Sequence, residues 1–259
     1  MKTDKLNIVI ISGGTGATEL IHGFKNIDKT KNAIRITNII NPYDDGASCG
    51  IVREQLNVIG PGDLRKNQWN QHKFNNKHPN IAIKEFCNNR YDLPKGKECE
   101  FVCDLLDRWD FAGKEYLKSY VKLYFELQNY DGEYNSFNVS NIVYGAMIKS
   151  KGAEETFNYF QHMFGNTDRV VLNSLDNMKL MGRTSSGKYL KNETPDIIFH
   201  NDSNDPINHI FFIDFSQYLQ DKHESKLDDK YLDDLFPQQF SVSPKLNPTA
   251  RRAIVEADL

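Results

Sequence analysis

The sequence predicts an α/β fold: a parallel sheet flanked by helices, with a helical insertion and a small antiparallel β excursion. Three observations lead there. The apolar run Leu6–Ser12 is short, rich in Ile and Val, and stops at paired glycines, which marks a buried strand. The period then changes, since Ala17, Leu20, Ile21 and Phe24 recur at three- and four-residue spacing and make one apolar helical face. A second strand follows at Ile34–Ile40. Strand, helix and strand within about forty residues form a βαβ unit, which is parallel and right-handed.

Each later element has its own signal. Gly60-Pro61-Gly62 is a turn that cannot lie inside a helix, and residues 68–89, rich in Asn, Lys and His, read as mixed helix and loop. Glu98–Gln128 carries apolar stripes through Val102, Leu105, Leu106, Leu117, Val121 and Tyr124, interrupted near Gly113. Its aromatics read as core packing, and residues 68–135 form the helical insertion. Helices follow at Asn138–Ser150 and Glu154–Phe164, the second closed by Gly165-Asn166. Residues 168–215 are β-rich, with strands at Arg169–Leu172, Met178–Arg183, Asp196–His200 and His209–Phe215 and a hairpin turn at Ser185-Ser186-Gly187. Asp221–Asp234 reads as an acidic surface segment. Asn247 is a good N-cap with Pro248 at the first helical position, for a helix running to Ala257. Asp258-Leu259 reads as the start of another strand, so residues 1–259 are expected to be one domain whose fold continues further.

Composition excludes several classes. Formal net charge is −3, so no global field draws the chain to nucleic acid or an anionic membrane. No apolar run approaches the roughly 18 residues of a membrane span. With no signal-peptide core before Leu6, the expected location is cytoplasmic, and the expected assembly is a homodimer. Cys49, Cys87, Cys99 and Cys103 show no zinc-finger spacing and read as reduced thiols. His72 and His78 flank a polar loop and read as surface residues.

Three loops carry the chemistry. In Ser12-Gly13-Gly14-Thr15-Gly16, bare backbone N–H groups can approach a phosphate, Thr15 can cap the next helix, and that helix adds partial positive charge. The Rossmann fingerprint spacing fails at Glu19, and no Gly-Lys-Ser/Thr follows to make a P-loop. In the second loop, Asp44-Asp45-Gly46 ends a strand, with Ser48 and Gly50 offering a hydroxyl and a small residue. Two carboxylates beside a diphosphate imply a bridging Mg²⁺. An Asx turn satisfies the same residues, and so does an Asp bonded to a ribose, although Asp44 falls 28 residues after Gly16. The third loop, Gly62-Asp63-Leu64-Arg65-Lys66-Asn67, offers a carboxylate for metal or proton transfer and a guanidinium fork for an anion.

These residues resemble the CofD-like superfamily, which includes the 2-phospho-L-lactate transferase of deazaflavin cofactor synthesis and the YvcK gluconeogenesis-factor proteins. The matching elements are Gly13-Gly14-Thr15-Gly16, Asp44-Asp45-Gly46 with Ser48 and Gly50, Pro61-Gly62-Asp63-Leu64-Arg65, and Asn141 at a helix start. Departures are Lys66 where many members have Asn, with Asn67 one place later, Ser140 for Gly, and no Gly-Pro-Gly-Ser loop at the end. The resemblance implies a Rossmann-like fold that binds a nucleoside diphosphate conjugate with Mg²⁺. In the transferase branch an acceptor hydroxyl attacks phosphorus and a nucleoside monophosphate leaves; in the regulatory branch a nucleotide sugar is bound without turnover. Mapped here, Gly14, Thr15 and Gly16 would hold phosphate, Asp45 and Asp63 would hold metal or accept the proton, and Asn141 would position the diphosphate or acceptor.

Overall fold

The computed structural model describes residues 5–13, 16–28, 33–109, 113–192, 196–197, 200–239 and 243–258, with 235–239 as backbone only. β1 (Leu6–Ser12) and β2 (Ile34–Ile40) pair in parallel, with Ile8 opposite Ile36 and Ile10 opposite Asn38. β3 (Arg169–Leu172) joins the far side of β2, also parallel, giving the order β1-β2-β3. Alternation along each strand sorts the two faces. Ile8, Ile10 and Ile36 pack against Ile21 of α1 (Thr18–Ile27). Ile39 and Val171 on the other face meet Ala250 of α11 (Pro248–Val255). Helices on both faces fit the predominance of Ile and Val in the three strands.

Between β2 and β3 the chain forms α2 (Ala47–Leu56), α3 (Gly62–Asn75), α4 (Ile81–Asn88), α5 (Glu98–Arg108), α6 (Lys114–Leu127), α7 (Val139–Lys151) and α8 (Ala153–Met163). α7 is the centre of this layer: every residue from Val139 to Ile148 is buried. Such a helix is apolar on all sides because neighbours surround it. Tyr144 stacks on Phe160 of α8 with ring centroids 3.8 Å apart. The break expected near Gly113 is present, with Gly113 at φ 84° capping α6.

After β3 an antiparallel sheet forms. β4 (Met178–Thr184) lies between β5 (Tyr189–Leu190) and β6 (Ile207–Asp214). Its core of Met181, Phe211 and Ile213 is closed by Phe215 and Tyr218 of α9 (Phe215–His223) and Leu232 of α10 (Asp229–Gln239). Arg53, fully buried, ties this unit to the rest. Its Nη1 donates to Tyr43 O at 2.9 Å, its Nη2 to Met178 O at 2.7 Å, and its guanidinium lies 4.3 Å from the Phe215 ring centroid. Among the described residues no helix is long and apolar enough to cross a membrane.

Several expectations change. Residues 47–50 and 62–67 are the first turns of α2 and α3 rather than loop. The helical period of α3 is hidden because Gln68, Gln71 and His72 sit among its buried residues. His72 is a core residue rather than a surface one: Nε2 accepts Asn80 N–H at 3.1 Å, so the proton sits on Nδ1 and is donated to Phe164 O at 2.7 Å. Asp196 and Ile197 form a helical turn, not a strand, and residues 198–199 lie outside the described residues. Asp221 is buried within the supposed surface segment and accepts from Tyr231 Oη at 2.8 Å. α11 stops at Val255; Asp258 N–H then donates to Asn7 O at 2.8 Å, running beside β1.

Asn247 caps α11 as expected, its side chain accepting Thr249 N–H at 2.9 Å. Asn247→Ala should lower stability by about 1 kcal/mol, or roughly 2–4 °C in Tm for a chain of this size. Calorimetric melting checks it; an unchanged Tm would show that the cap is not needed.

Candidate functional site

The site forms where the carboxyl ends of β1 and β2 meet the starts of α2, α3 and α7. Asp44 and Asp63 lie together there. Asp44 Oδ1 accepts Gly46 N–H at 3.1 Å, an Asx turn, so part of this carboxylate serves the loop itself. Its other oxygen, Oδ2, lies against the start of α3, only 2.2 Å from where a Cβ on Gly62 would sit. Asp63 is in the first turn of α3. Burial first, and then the charge of Asp44, push its carboxyl above the ordinary aspartate range, and Lys66 at 3.3 Å offsets this in part.

Cys49 stitches the two loops together. Its Sγ–H donates to Asp44 O at 3.1 Å, and its sulfur accepts Gly62 N–H at 3.2 Å. Burial pushes this thiol well above its ordinary value, so it stays protonated as that bridge requires. Gly50 faces the same loop from α2. A Cβ there would lie 2.2 Å from Asp45 O, so the loop and the helix can meet only at a glycine.

Two chains of polar side chains set the geometry. Ser12 Oγ donates to Asn38 Oδ1 at 3.0 Å, Asn38 Nδ2 donates to Asn67 Oδ1 at 2.6 Å, and Asn67 Nδ2 donates to Asp63 O at 2.8 Å. This wires the end of β1 through β2 to α3. In the second chain Arg65 Nε donates to Asn141 Oδ1 at 3.0 Å, and Asn141 Nδ2 donates to Ser48 Oγ at 3.1 Å. The starts of α3, α7 and α2 are thereby held side by side. None of the three is closed by the side chain of its own N-cap residue, which is Gly46, Pro61 or Asn138. Three positive helix ends therefore converge beside the two carboxylates.

The predicted residues divide accordingly. Asp44, Gly46, Ser48, Gly50, Asp63, Arg65, Asn67 and Asn141 come together. Gly13 and Gly16 lie at the end of β1 and the start of α1; a Cβ on either would meet no described atom within 4 Å. Gly14 and Thr15 lie outside the described residues. α1 follows Ala17 as its N-cap, with no side-chain cap bond. Asp45 stands apart from the expected metal pair: its carboxylate is ion-paired with Lys179 of β4, and both side chains are buried. The carboxylate whose charge Asp63 feels is Asp44.

Sequence reasoning missed Asn38 and Lys179. Asn38 had a visible signal, as an amide inside the Ile-rich strand Ile34–Ile40. Lys179 had a weaker one, a charge beside Met178 and Leu180 in a strand where an outward-facing lysine is ordinary. Its partner lies 134 residues earlier in the chain, which no local pattern reports.

Comparison with known proteins agrees with this architecture. The profile of the family described as 2-phospho-L-lactate transferase CofD matches residues 8–259. A putative gluconeogenesis factor of Thermotoga maritima is 26% identical over 190 residues, covering 73% of this chain and 46% of that protein. The gluconeogenesis factor of Listeria monocytogenes is 42% identical over 64 residues, covering 25% of this chain and 18% of that protein. The crystal structure of a UPF0052-family protein from Bacillus halodurans shares the fold with a TM-score of 0.60 at 16% identity, covering 98% of this chain and 57% of that one. The chain thus spans about half the length, or less, of these relatives.

Proposed function

Because the chain belongs to the 2-phospho-L-lactate transferase CofD family, we propose that it is a divalent-cation-dependent transferase acting on a nucleoside diphosphate conjugate. One observation carries this. Asp44 and Asp63, two mutually repelling carboxylates, sit where three helix N-termini converge. Carboxylates there are balanced by a cation, and the helix ends suit the phosphates it would carry. The donor set fits Mg²⁺. Among the described residues no group of three or more His, Cys, Asp and Glu could hold a metal ion, and Mg²⁺ commonly takes one or two carboxylates with substrate phosphates and waters.

When bound, the cation would neutralise charge on the diphosphate. The chain's own residues do the rest. Gly13 and Gly16 leave open backbone for the phosphates, since no described neighbour requires a glycine at either position. Asn141 and Ser48 orient the oxygens. Asp63 has two carboxylate oxygens, so it can ligate through one and accept the acceptor's hydroxyl proton at the other. The acceptor oxygen then bonds to phosphorus as the phosphorus–oxygen bond to the nucleoside monophosphate breaks and its electron pair leaves with that group.

A second reading is a nucleotide-sugar-binding regulator without turnover. It is favoured by the names of the relatives and by the buried ion pair of Asp45 with Lys179, which occupies that carboxylate. Incubation with Mg²⁺ and a panel of nucleoside diphosphate conjugates separates the two. Monophosphate release that exceeds an Asp63→Asn control supports transfer. Saturable binding with no release supports the regulator, and no binding by any conjugate contradicts both.

A further inference from the structure

A cleft of about 500 Å³ opens beside the acidic pair, between the start of α1, the first turns of α3 and residues 88–90. Its walls carry three cations, Arg65, Lys66 and Arg90, and one carboxylate, Glu19. Lys66 is engaged by Asp63. Arg65 is in a different position. It is only 3% exposed, and of its five N–H donors only Nε is used, on Asn141. Among the described residues neither Nη of this guanidinium makes a hydrogen bond or ion pair, and the side chain lines the cleft.

The surroundings of Arg65 are wrong for a structural arginine. The groups whose negative charge would favour the guanidinium, Cys87, Cys49 and Tyr144, all have their pKa raised by burial, which keeps them neutral. Arg90 adds a second positive charge, and Asp63 feels Arg65 only as the weakest of its neighbours. Arg90 is itself aimed, with Nη1 held by Ser136 O at 2.9 Å. A buried guanidinium with a free fork and a like charge opposite is stabilised by an anion bound between them.

We propose that this cleft is an oxyanion site in which Arg65 and Arg90 clamp a phosphate or carboxylate group of the ligand other than the metal-chelated diphosphate. It rests on the proposed function only in taking the ligand to be the same molecule. The substrate class becomes a conjugate with a second anionic group, set off from the diphosphate by the distance from the acidic pair to the cleft.

Inorganic phosphate and, separately, succinate are titrated calorimetrically into the full chain in EDTA. At least one should bind at a single site, and which one does so identifies the oxyanion. Arg90→Gln, an exposed change, should weaken that binding about tenfold or more, and so should Arg65→Lys, which keeps the charge but loses the fork. Asp63→Asn should not weaken it. Absence of binding by both anions, or binding indifferent to Arg90→Gln, overturns the proposal. Binding that needs Mg²⁺ and disappears in Asp63→Asn also overturns it, because the anion then sits on the metal, and the proposed function survives. Anion binding in EDTA with no metal-dependent nucleotide binding would keep this site and remove the proposed function.

Discussion

Gly50→Ala is expected to destabilise the protein by about 3 kcal/mol or more, although it places a better helix former inside a helix. Propensity alone predicts a gain of about 1 kcal/mol. The contact decides the sign. An alanine Cβ would lie 2.2 Å from Asp45 O and 3.0 Å from Asp45 C, and both are backbone atoms that no rotamer change can move aside. The loop must therefore shift, carrying Asp44 away from Asp63 and Asp45 away from Lys179. Gly23→Ala in α1 is the matched control, because no described atom lies within 4 Å of its Cβ position; there the propensity gain should appear. Melting both variants tests the argument. A Gly50→Ala protein as stable as wild type would show that the loop does not hold α2 so closely.

Asp63→Asn should reduce metal-dependent ligand binding on the order of 100- to 1,000-fold and at the same time raise the Tm of the metal-free protein at pH 7. The second effect follows from the position of the carboxyl. Its folded pKa is raised above the ordinary 3.8 by burial and by Asp44, so the folded state holds this proton more tightly than the unfolded state. Stability contributed by the protonated form is fully present at low pH and is lost as pH rises through the folded value. At pH 7 the ionised group destabilises the fold, and a neutral amide removes that strain. The gain should shrink as pH falls through the raised folded value and be gone below 3.8, where the carboxyl is protonated in both folded and unfolded states. Such a trade of stability for site chemistry is common at functional positions. Melting curves across pH check it; a variant less stable than wild type at pH 7 would mean that Asp63 is a structural carboxylate serving Lys66.

Much of the fold was legible. β1, β2 and β3 have the expected bounds because each is written as a short Ile- and Val-rich run of strand length. The cap at Asn247 and the break at Gly113 were legible because cap and turn chemistry is local. α2 and α3 were not, for one physical reason: both bury polar side chains. Arg53, Gln68, Gln71 and His72 each donate to a backbone carbonyl inside the protein, and the sequence pattern registers them as surface. At the site, the grouping of Asp44, Ser48, Asp63, Arg65 and Asn141 was visible as residue types at loop ends. The partition among the aspartates was not, since it depends on Lys179, which arrives from the antiparallel sheet. The free fork of Arg65 was equally invisible, because it is defined by the lack of a partner for either Nη among the described residues.

The convergence of Asp44 and Asp63 on a metal-chelated diphosphate is tested most directly by electron paramagnetic resonance of Mn²⁺ titrated into the protein with a nucleoside diphosphate. The free-ion signal should fall with wild type when the nucleotide is present, and persist with Asp44→Asn and Asp63→Asn. Wild-type loss of signal in both variants would contradict the account.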